Sequence, residues 1–477
     1  MSLKIYNVMS HTKEDFVPLT PGVVKMYACG ITVSGDAHVG HAYQSVVFDV
    51  ITRYLRYCGY DVKYVRNYTD VDDNIIKNAN AIGQDPMEFA EQHIVTTDAQ
   101  MDMLGNNRPT IMARATQCID DIIKFIERLI AGGHAYVAGT GDVYFKLDTF
   151  PEYGKLSRVK MDKNEVAVRK DLEPGKQNEL DFALWKSAKP GEIYWESPWG
   201  RGRPGWHIEC SAMNMKFLGE QIDIHGGGRD LVFPHHENEI AQTESVTGKP
   251  FARYWVHCGL VKINGQKMSK SLGNGILLRD MLAKYDADTI RFALLRNTYS
   301  NDIDITDSFF PDAARHVYRM YSTLGATATA DNSKADKAKT DDKIAEITTA
   351  FESAMDDNFN TSSMLAASFG WFDFMDAELR KQASNYDLHA IGAHIVKLFG
   401  VLNILQQDAC KYISDTKSAF LKSHNITVEY IQERLDARTD AKKNRDFARS
   451  DTIRDELLQM GLQVRDTLHG TEWDIKF

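Results

Sequence analysis

Two histidines and a glycine open the stretch of this sequence that is best suited to bind phosphate. His38-Val39-Gly40-His41 stands directly before a run with helical spacing of apolar residues. At a helix N-terminus the unpaired backbone N–H groups and the helix dipole favour an anion, and a glycine lets a nucleotide approach closely. Two structural histidines would give the same four letters, so the motif alone does not decide its role.

A second pattern carries two lysines in the string Lys267-Met268-Ser269-Lys270-Ser271, which follows Asn264-Gly265. Asn-Gly predicts a type I′ turn, so the string stands just past a tight hairpin. Lysines on such a loop can close over a triphosphate and neutralise the charge that develops on leaving pyrophosphate. Lysine pairs are commonly solvated and inert, but the complete five-residue string favours the phosphate role.

A third set of residues suits a metal ion. His235 and Glu239 are four residues apart and would share one face of a helix. Cys29 and Cys210 add two thiolates, and a set of sulfur, nitrogen and oxygen donors suits zinc. Spacing alone leaves alternatives open, which are core thiols, a surface hydrogen bond between the histidine and the glutamate, and a purely structural metal.

The elements predicted around these motifs form a parallel sheet. Residues 23–28 predict a buried strand, residues 41–58 a helix that Gly59 ends, and residues 61–68 a second strand. Strand, helix and strand at this spacing make a βαβ unit of the nucleotide-binding type. A further strand is expected at residues 222–224.

The rest of the chain predicts additional domains. The pattern within residues 112–200 indicates an insertion, residues 327–342 a polar linker between helices, and residues 428–460 one basic helix before short strands. The predicted fold class is α/β, with a doubly wound parallel-sheet (Rossmann-type) catalytic domain, a connective insertion, an α-helical bundle and a small mixed α/β C-terminal domain. The predicted boundaries are 1–115 with 201–250 for the catalytic domain, 116–200 for the insertion, 251–310 for the stem region of the lysine loop, 311–410 for the bundle and 411–477 for the terminal domain.

Composition excludes several classes of protein. The 477 residues carry a net charge of −10, which argues against a uniformly basic coat for nucleic acid. No run of eighteen apolar residues and no N-terminal signal core occurs, so we expect no membrane span and a cytoplasmic location. The six cysteines show no paired spacing, and no Gly-x-x-x-x-Gly-Lys string indicates a P-loop.

Long stretches of the sequence resemble one enzyme family. The two phosphate motifs in this order resemble the class I aminoacyl-tRNA synthetases. Nearly the whole chain resembles the cysteinyl-tRNA synthetases, and the stretches that carry this likeness are residues 27–33, 67–73, 205–211, 225–230 and 233–239. The resemblance implies a cysteine–tRNA ligase that uses ATP to make cysteinyl-adenylate and transfers cysteine to tRNA(Cys). It also implies one Zn²⁺ per subunit that selects the substrate thiolate, Mg²⁺ with ATP, no membrane partner and a monomer.

The resemblance also assigns roles to single residues. The metal ligands it implies are Cys29, Cys210, His235 and Glu239. The cysteine-binding residues are Gly30, Thr32, Asn67, Thr69 and Trp206. The residues for ATP and the adenylate are Gly40, Gly228, Asp230, Ser269 and Lys270, and the catalytic residues are His38, His41, Lys267 and Lys270. In the terminal domain, which reads the anticodon in this family, the base contacts are Asp451 and Asp466.

Two departures from the family pattern stand beside the first motif. Ser34-Gly35 replaces a common Tyr-Asp pair, and Tyr43-Gln44 replaces a common Arg-Thr pair. Gln44 therefore stands where a small hydroxyl usually meets the adenylate, and the contact there is expected to differ.

Two other functions were weighed. A related cysteine ligase of the mycothiol pathway makes the same adenylate but acylates a small amino sugar, and it lacks a unit like residues 428–477. A non-catalytic paralogue would bind RNA or a partner only, and the complete motifs and four presumed ligands argue against it.

Overall fold

The helices and strands of the protein are seen in a computed structural model that describes residues 2–159, 175–189, 191–268, 273–467 and 470–476. The strands are β1 (Lys4–Asn7), β2 (Thr12–Asp15), β3 (Val23–Thr32), β4 (Asp61–Thr69), β5 (Ile111–Arg114), β6 (Ala135–Val137), β7 (Val143–Phe145), β8 (Phe182–Ser187), β9 (Gly202–Pro204), β10 (Ile222–Gly228), β11 (Ala252–Cys258), β12 (Val261–Ile263), β13 (Gln266–Lys267), β14 (Ile303–Ile305), β15 (Leu462–Thr467) and β16 (Gly470–Ile475). The α-helices are α1 (Val39–Tyr57), α2 (Asp73–Ala81), α3 (Pro86–Met103), α4 (Ile119–Ala131), α5 (Trp206–Leu218), α6 (Glu237–Thr247), α7 (Leu278–Lys284), α8 (Ala287–Leu295), α9 (Phe309–Thr327), α10 (Lys337–Asp356), α11 (Thr361–Leu379), α12 (Leu388–Phe399), α13 (Ala409–Ser423), α14 (Val428–Lys443) and α15 (Phe447–Gln459). Within the described ranges, no helix has the length and apolar character needed to cross a bilayer.

Packing divides the chain into two units that interleave along the sequence. The first unit comprises Met1–Thr306, Ile347–Ser368 and Val401–Asn403, and the second comprises Asp307–Glu346, Phe369–Gly400 and Ile404–Phe477. The first unit therefore contains segments that follow the start of the second.

The centre of the first unit is a parallel five-stranded sheet in the order β11-β10-β3-β4-β5. The order reverses at β3. One neighbour of β3 is β4, the next strand along the chain, and the other is β10, which comes much later. In such sheets, ligands bind outside the carboxyl ends of the strands at this switch point. Cys29 and Gly30 stand here, where the register between β3 and β4 shifts between Ala28 and Ile31.

The helix α1 packs closely against the sheet. Its apolar residues at helical spacing are buried, as expected for a helix that covers a sheet. A Cβ atom at Gly226 of β10 would lie 2.4 Å from the ring of Phe48, so only glycine permits this approach. The glycine at this position thus allows β10 and the middle of α1 to pack closely together.

A separate antiparallel sheet forms the inserted part of the chain. Its order is β6-β7-β8-β9, and α4 packs apolar residues, including Ile122, Phe125 and Leu129, into one cluster with it. A smaller sheet, β13-β12-β14, includes the turn at Asn264-Gly265. Both turn residues have positive φ, 48° and 78°, as a type I′ turn requires.

Late segments of the chain complete the first unit. Arg291 of α8 is fully buried, and its guanidinium donates hydrogen bonds to the Asp49 carboxylate at 2.6 Å and to the Leu402 carbonyl at 2.7 Å. The Tyr54 hydroxyl donates to Asp356 at 2.7 Å. These contacts join α1, α8 and the late segments into one body.

The second unit contains helices and the antiparallel hairpin β15-β16. A terminal cluster packs Leu435 of α14 and Leu457 of α15 against Leu462 of β15. This is the small mixed α/β arrangement predicted for the end of the chain.

The α/β class predicted from the sequence is confirmed, and two local predictions are wrong. The single helix expected over 428–460 is two helices, because Arg445 adopts φ 59° and the Asp446 side chain accepts a hydrogen bond from the Arg449 amide to start α15. The linker expected over 327–342 ends early, since Asp336 accepts from the Ala338 amide and α10 begins at Lys337. The predicted domain boundaries stay predictions.

Candidate active site and metal centre

His38 and His41 form the N-terminal cap of α1. The His38 Nδ1 atom accepts a hydrogen bond of 3.1 Å from the Gly40 amide, and the His38 amide donates to His41 Nδ1 at 3.4 Å. The two rings stack with centroids 3.7 Å apart. A Cβ at Gly40 would lie 3.1 Å from the His38 ring, so the glycine keeps this end of the helix narrow. The Nε2 edges and the helix dipole together suit a phosphate.

The segments on both sides of the lysine loop lie beside this helix N-terminus. The Met268 amide donates to the Val261 carbonyl at 3.2 Å, and a Cβ at Gly40 would lie 3.3 Å from the Met268 methyl. On the far side of the loop, the Val39 amide donates to the Ile276 carbonyl at 2.9 Å. Lys267 is exposed at the end of β13, whereas Ser269 and Lys270 lie outside the described residues. The two motifs, more than two hundred residues apart in sequence, are therefore neighbours.

Four buried side chains from four elements converge at the end of the sheet. They are Cys29 of β3, Cys210 of α5, His235 before α6 and Glu239 of α6, and one donor atom from each lies within 4.8 Å of the others. The Cys29 Sγ atom lies 3.7 Å from Cys210 Sγ and 3.3 Å from Glu239 Oε1. His235 Nε2 lies 3.0 Å from the same Glu239 oxygen. This is a buried cluster of sulfur, nitrogen and oxygen donors that is compatible with a metal ion.

Other histidines hold two of these four residues, Glu239 and His235, in place. His225 Nε2 lies 2.9 Å from Glu239 Oε2, and His207 Nδ1 lies 2.8 Å from His235 Nδ1. These partners leave Glu239 Oε1 and His235 Nε2 directed at the thiols, as outer partners of metal ligands commonly do. A second overlapping set contains Cys29, His225, His236 and Glu239. The first set, which is the one predicted from the sequence, supplies two sulfur donors, whereas the second supplies one.

The electrostatics of the cluster favour the ionised forms of Cys210 and Glu239 and the neutral thiol of Cys29. The hydrogen bond from Cys29 lowers the pKa of Cys210 to about 6, while burial raises the pKa of Cys29 well above its usual value. Burial opposes ionisation of Glu239, but His225 and His235 outweigh it and hold the pKa of Glu239 well below its usual value. Burial likewise opposes the charge on His235, yet Glu239 and Cys210 raise its pKa to about 10. A buried thiolate and carboxylate therefore share one protonated imidazole, and a divalent cation could replace its proton.

Comparison with known proteins identifies the family to which these features belong. The model for the tRNA synthetases class I (C) catalytic domain matches residues 15–315. A cysteine–tRNA ligase from Trichlorobacter lovleyi is 46% identical over 488 residues that cover 100% of both chains. A protein of the same name from Geobacter sulfurreducens is 46% identical over 482 residues with the same coverage. The chain belongs to the cysteine–tRNA ligase family.

Solved structures outside the cysteine–tRNA ligase family share the fold. The Mycobacterium tuberculosis methionyl-tRNA synthetase in complex with methionyl-adenylate has a TM-score of 0.58 and 16% identity, and the match covers 80% of this chain and 89% of that chain. A leucyl-tRNA synthetase of Agrobacterium radiobacter K84, in a ternary complex, has a TM-score of 0.59 at 12% identity, with 83% and 87% of the two chains covered. At these identities the likeness concerns the fold alone.

In this member of the cysteine–tRNA ligase family, predicted cysteine-binding residues lie next to the cluster of donor side chains. Asn67 Oδ1 accepts a hydrogen bond of 2.9 Å from the Gly30 amide and lies 3.8 Å from Cys210 Sγ. A Cβ at Gly30 would lie 1.7 Å from the Asn67 carbonyl oxygen, so that position admits only glycine. Thr32 and Thr69 are paired at the carboxyl ends of their strands. The predicted pocket is thus assembled in one place.

Trp206 lies over the other side of the cluster. It begins α5, is partly exposed, and its ring centroid lies 4.4 Å from that of His235. An exposed indole beside a buried donor set is well placed to cover a small side chain.

The predicted nucleotide residues end the neighbouring strand. Gly228 is the last residue of β10, and a Cβ there would lie 2.4 Å from the Asp230 carboxylate. The preceding glycine-rich strand leaves backbone groups open to a nucleotide at the switch point.

Sequence reasoning did not find the histidines around Glu239. His225, His236 and His257 are buried on three different elements, and His236 Nδ1 lies 2.8 Å from His257 Nε2. No spacing in the sequence links them. A histidine within a buried strand, as His225 is in β10, was the available signal.

Gln44, the departure noted in the sequence, reaches from α1 to the backbone of Cys29. Its Nε2 donates a hydrogen bond of 2.8 Å to the Cys29 carbonyl, and Arg66 Nη2 donates to its Oε1 at 3.1 Å. All three residues are buried. The longer side chain therefore supports the backbone of a presumed ligand.

The two residues predicted to contact anticodon bases differ in their surroundings. Asp466 accepts two hydrogen bonds from Arg438, at 2.7 and 3.0 Å, and one from Lys442. These cations, Arg438 first, hold the pKa of Asp466 below its usual value. Asp451 has an exposed side chain whose carboxylate lies 3.0 Å from Arg454. Asp451 is the more accessible of the two for an external base, and both roles stay predictions.

Proposed function

We propose that this protein activates L-cysteine with ATP as cysteinyl-adenylate and transfers the cysteinyl group to tRNA(Cys). The observation that carries the proposal is the buried Cys29–Cys210–His235–Glu239 cluster, which adjoins Asn67 and Trp206 in a chain with full-length likeness to cysteine–tRNA ligases. We further propose that the protein acts as a monomer in the cytoplasm, where tRNA and ATP are available.

Zinc fits the donor set of the cluster. Two sulfurs, one imidazole and one carboxylate are buried within ligand distance of each other, and two of them are already held by His207 and His225. We propose Cys29, Cys210, His235 and Glu239 as its ligands. When bound, zinc would supply a Lewis-acidic partner for the thiolate of the substrate.

This arrangement would exclude serine by coordination rather than by shape. Cysteine and serine differ by one atom, and an apolar pocket separates such near-isosteres by only ~100-fold. A hydroxyl is a far poorer ligand for zinc than a thiolate. The buried cluster therefore accounts for selectivity without a separate editing domain.

Activation needs no covalent bond to the enzyme. The carboxylate of cysteine attacks the α-phosphorus of ATP, and pyrophosphate leaves. Mg²⁺ bound with ATP would neutralise part of the phosphate charge. We propose that His38, His41 and the N-terminus of α1 bind the phosphates. Lys267, Ser269 and Lys270 of the second motif are proposed to bind the same phosphates. Gly40, Gly228 and Asp230 would border the nucleotide. Positioning and charge stabilisation supply most of the rate enhancement.

In the transfer step, a hydroxyl of the terminal adenosine of tRNA attacks the carbonyl carbon of cysteinyl-adenylate, forms the ester and releases AMP. Asp451 and Asp466 in the terminal domain are the proposed contacts to anticodon bases, which single-stranded loops present on their edges. The terminal domain favours tRNA as acceptor over the small amine used by related ligases.

The proposal is tested by acylation of bacterial tRNA with labelled cysteine, with pyrophosphate release followed in the same reaction and serine as the control. We expect transfer of cysteine and none of serine. Cysteine-dependent pyrophosphate release without transfer, even to tRNA(Cys), would move the assignment to a small-amine ligase. Absence of both signals from folded, zinc-loaded protein would contradict the proposal.

A further inference from the structure

A cleft in the second unit gathers positive charge from elements that are distant in sequence. It has a volume of about 580 Å³ and lies between α9, the end of α11 and the hairpin β15-β16. The cations that line it are Arg315, Arg319, Arg380, Arg465 and Lys476. Two carboxylates, Asp376 and Asp474, also line it, so the cations outnumber them.

Both carboxylates of the cleft have partners within the protein. Asp376 accepts hydrogen bonds from Arg319 at 2.8 Å and from the Thr323 hydroxyl at 2.6 Å. Asp474 accepts from the Tyr318 hydroxyl and lies 3.5 Å from the Lys417 ammonium. Each carboxylate of the cleft is therefore already paired with a cation and a hydroxyl group of the protein.

Three of the cations are not neutralised in this way. Arg380, Arg465 and Lys476 are exposed, and none of their side chains has an ion pair or hydrogen bond with another residue of the described ranges. Their repulsion is unfavourable without an anion. The chain as a whole has a net charge of −10, so this excess of cations is local to the cleft.

The chemistry of the cleft suits the backbone of a nucleic acid. Most protein contacts to nucleic acids go to phosphate and sugar, through arginine, lysine and neutral hydrogen-bonding side chains. Ser322 and Gln463 supply the neutral groups here. The arginines can bind phosphate oxygens in pairs, and the volume exceeds that of a single anion.

The cleft lies on the opposite face of the hairpin from the predicted anticodon contact Asp466. Arg465 and Asp466 are successive residues of β15, and successive side chains of a strand point to opposite faces. Arg465 lines the cleft, whereas Asp466 pairs with Arg438 of α14. A polyanion in the cleft would therefore contact the hairpin from the face that does not carry Asp466.

We propose that this cleft binds the sugar–phosphate backbone of tRNA, independently of base sequence, through Arg380, Arg465 and Lys476. This inference rests on the proposed function for the identity of the RNA. The cleft would increase the affinity for tRNA, whereas contacts to the bases elsewhere would provide the sequence specificity.

The test uses the full-length protein with Arg380→Gln, Arg465→Gln and Lys476→Gln combined. We expect weaker binding of tRNA(Cys), and a plot of log affinity against log salt that is shallower by about 2 for three lost phosphate contacts. Cysteine-dependent exchange of pyrophosphate into ATP should be unchanged, since it needs no tRNA. Lys339→Gln, at an exposed lysine of α10, is the matched control and should leave both the affinity and the slope unchanged.

Two further experiments distinguish a loss of charge from a folding defect, and binding of the tRNA backbone from binding of free phosphate. The pair Arg380→Lys and Arg465→Lys keeps the charge and should retain most of the affinity, which a folding defect would not. Inorganic phosphate and pyrophosphate, tested by calorimetry, should bind the cleft weakly. Unchanged tRNA affinity and salt slope in the triple Gln variant, with or without loss of small-anion binding, would overturn the proposal.

The outcome stays separate from that of the proposed function. If the wild-type protein binds tRNA through these residues but charges no cysteine, the cleft is supported and the function fails. If the wild-type protein attaches cysteine to tRNA while the triple variant binds tRNA normally, the proposed function is supported and the proposal for the cleft fails.

Discussion

The side-chain amide of Gln44 donates a hydrogen bond of 2.8 Å to the backbone carbonyl of Cys29. Cys29 stands where the ladder between β3 and β4 is interrupted, so its carbonyl lacks the regular support of the sheet. Arg66 holds the other end of the Gln44 amide. A residue of α1 thus fixes the backbone from which a presumed metal ligand projects.

Removing this support should weaken metal binding. In a Gln44→Met variant, we expect zinc affinity to fall about 10- to 100-fold, as is typical when an outer partner of a ligand is lost. Competition with a chromogenic chelator measures this directly. Gln100→Met, at a buried glutamine of α3, is the control and should keep the native affinity. Equal metal affinity in both variants would show that Gln44 only fills space.

Replacing a presumed ligand should change both metal content and selectivity. In Cys210→Ser, we expect the purified protein to contain little zinc and to lose most of its preference for cysteine over serine, because a hydroxyl binds zinc poorly. Elemental analysis and adenylation with each amino acid are the measurements. Cys118→Ser, at another buried cysteine, should keep both properties. Full zinc occupancy in Cys210→Ser would remove this residue from the ligand set.

The helix cap formed by His41 should matter for adenylation. In His41→Asn, we expect cysteine-dependent exchange of pyrophosphate into ATP to fall about 10²- to 10³-fold in kcat, the effect of losing one preorganised donor. The KM for cysteine should change little, because the amino-acid pocket lies at the end of the sheet. His424→Asn, at a histidine of the second unit, serves as the control. A native exchange rate in His41→Asn would assign the histidine a structural role.

The buried pair of Arg291 and Asp49 should be a main determinant of stability. Both side chains are almost fully buried, and they lie 2.6 Å apart. In Arg291→Met, the Asp49 carboxylate loses a buried partner, and we expect the free energy of unfolding to fall by about 3–5 kcal/mol. Lys337→Ala breaks an exposed pair with Asp341, and its effect should stay below about 1 kcal/mol. Urea unfolding of both variants tests the contrast.

The sequence predicted best those elements whose residues repeat at a regular spacing. The helix expected over 41–58 is α1 at Val39–Tyr57, and the strand expected over 61–68 is β4 at Asp61–Thr69. Local periodicity and a clear stop at Gly59 were sufficient there. The strand expected over 23–28 extends to Thr32, because the irregular ladder at Cys29 and Gly30 does not end the pairing.

Breaks without glycine or proline were not predicted. The turn between α14 and α15 is formed by Asn444, Arg445 and Asp446, which are also compatible with one continuous polar helix. Only the capping bond of Asp446 shows the new helix start. The sequence likewise held no signal for Gln44 and Cys29 as partners, because a contact between a helix side chain and a strand carbonyl depends on the tertiary fold.

The family match ends at residue 315, yet the first unit draws on Ile347–Ser368 and Val401–Asn403. A fragment cut at the end of that match would leave the Tyr54 hydroxyl without Asp356 and the Arg291 guanidinium without the Leu402 carbonyl. The first unit is therefore not a module that evolution or an engineer could transplant by a single splice. Its integrity requires synthesis well into the second unit, so a chain that is truncated before residue 403 would contain a first unit that cannot complete its own core.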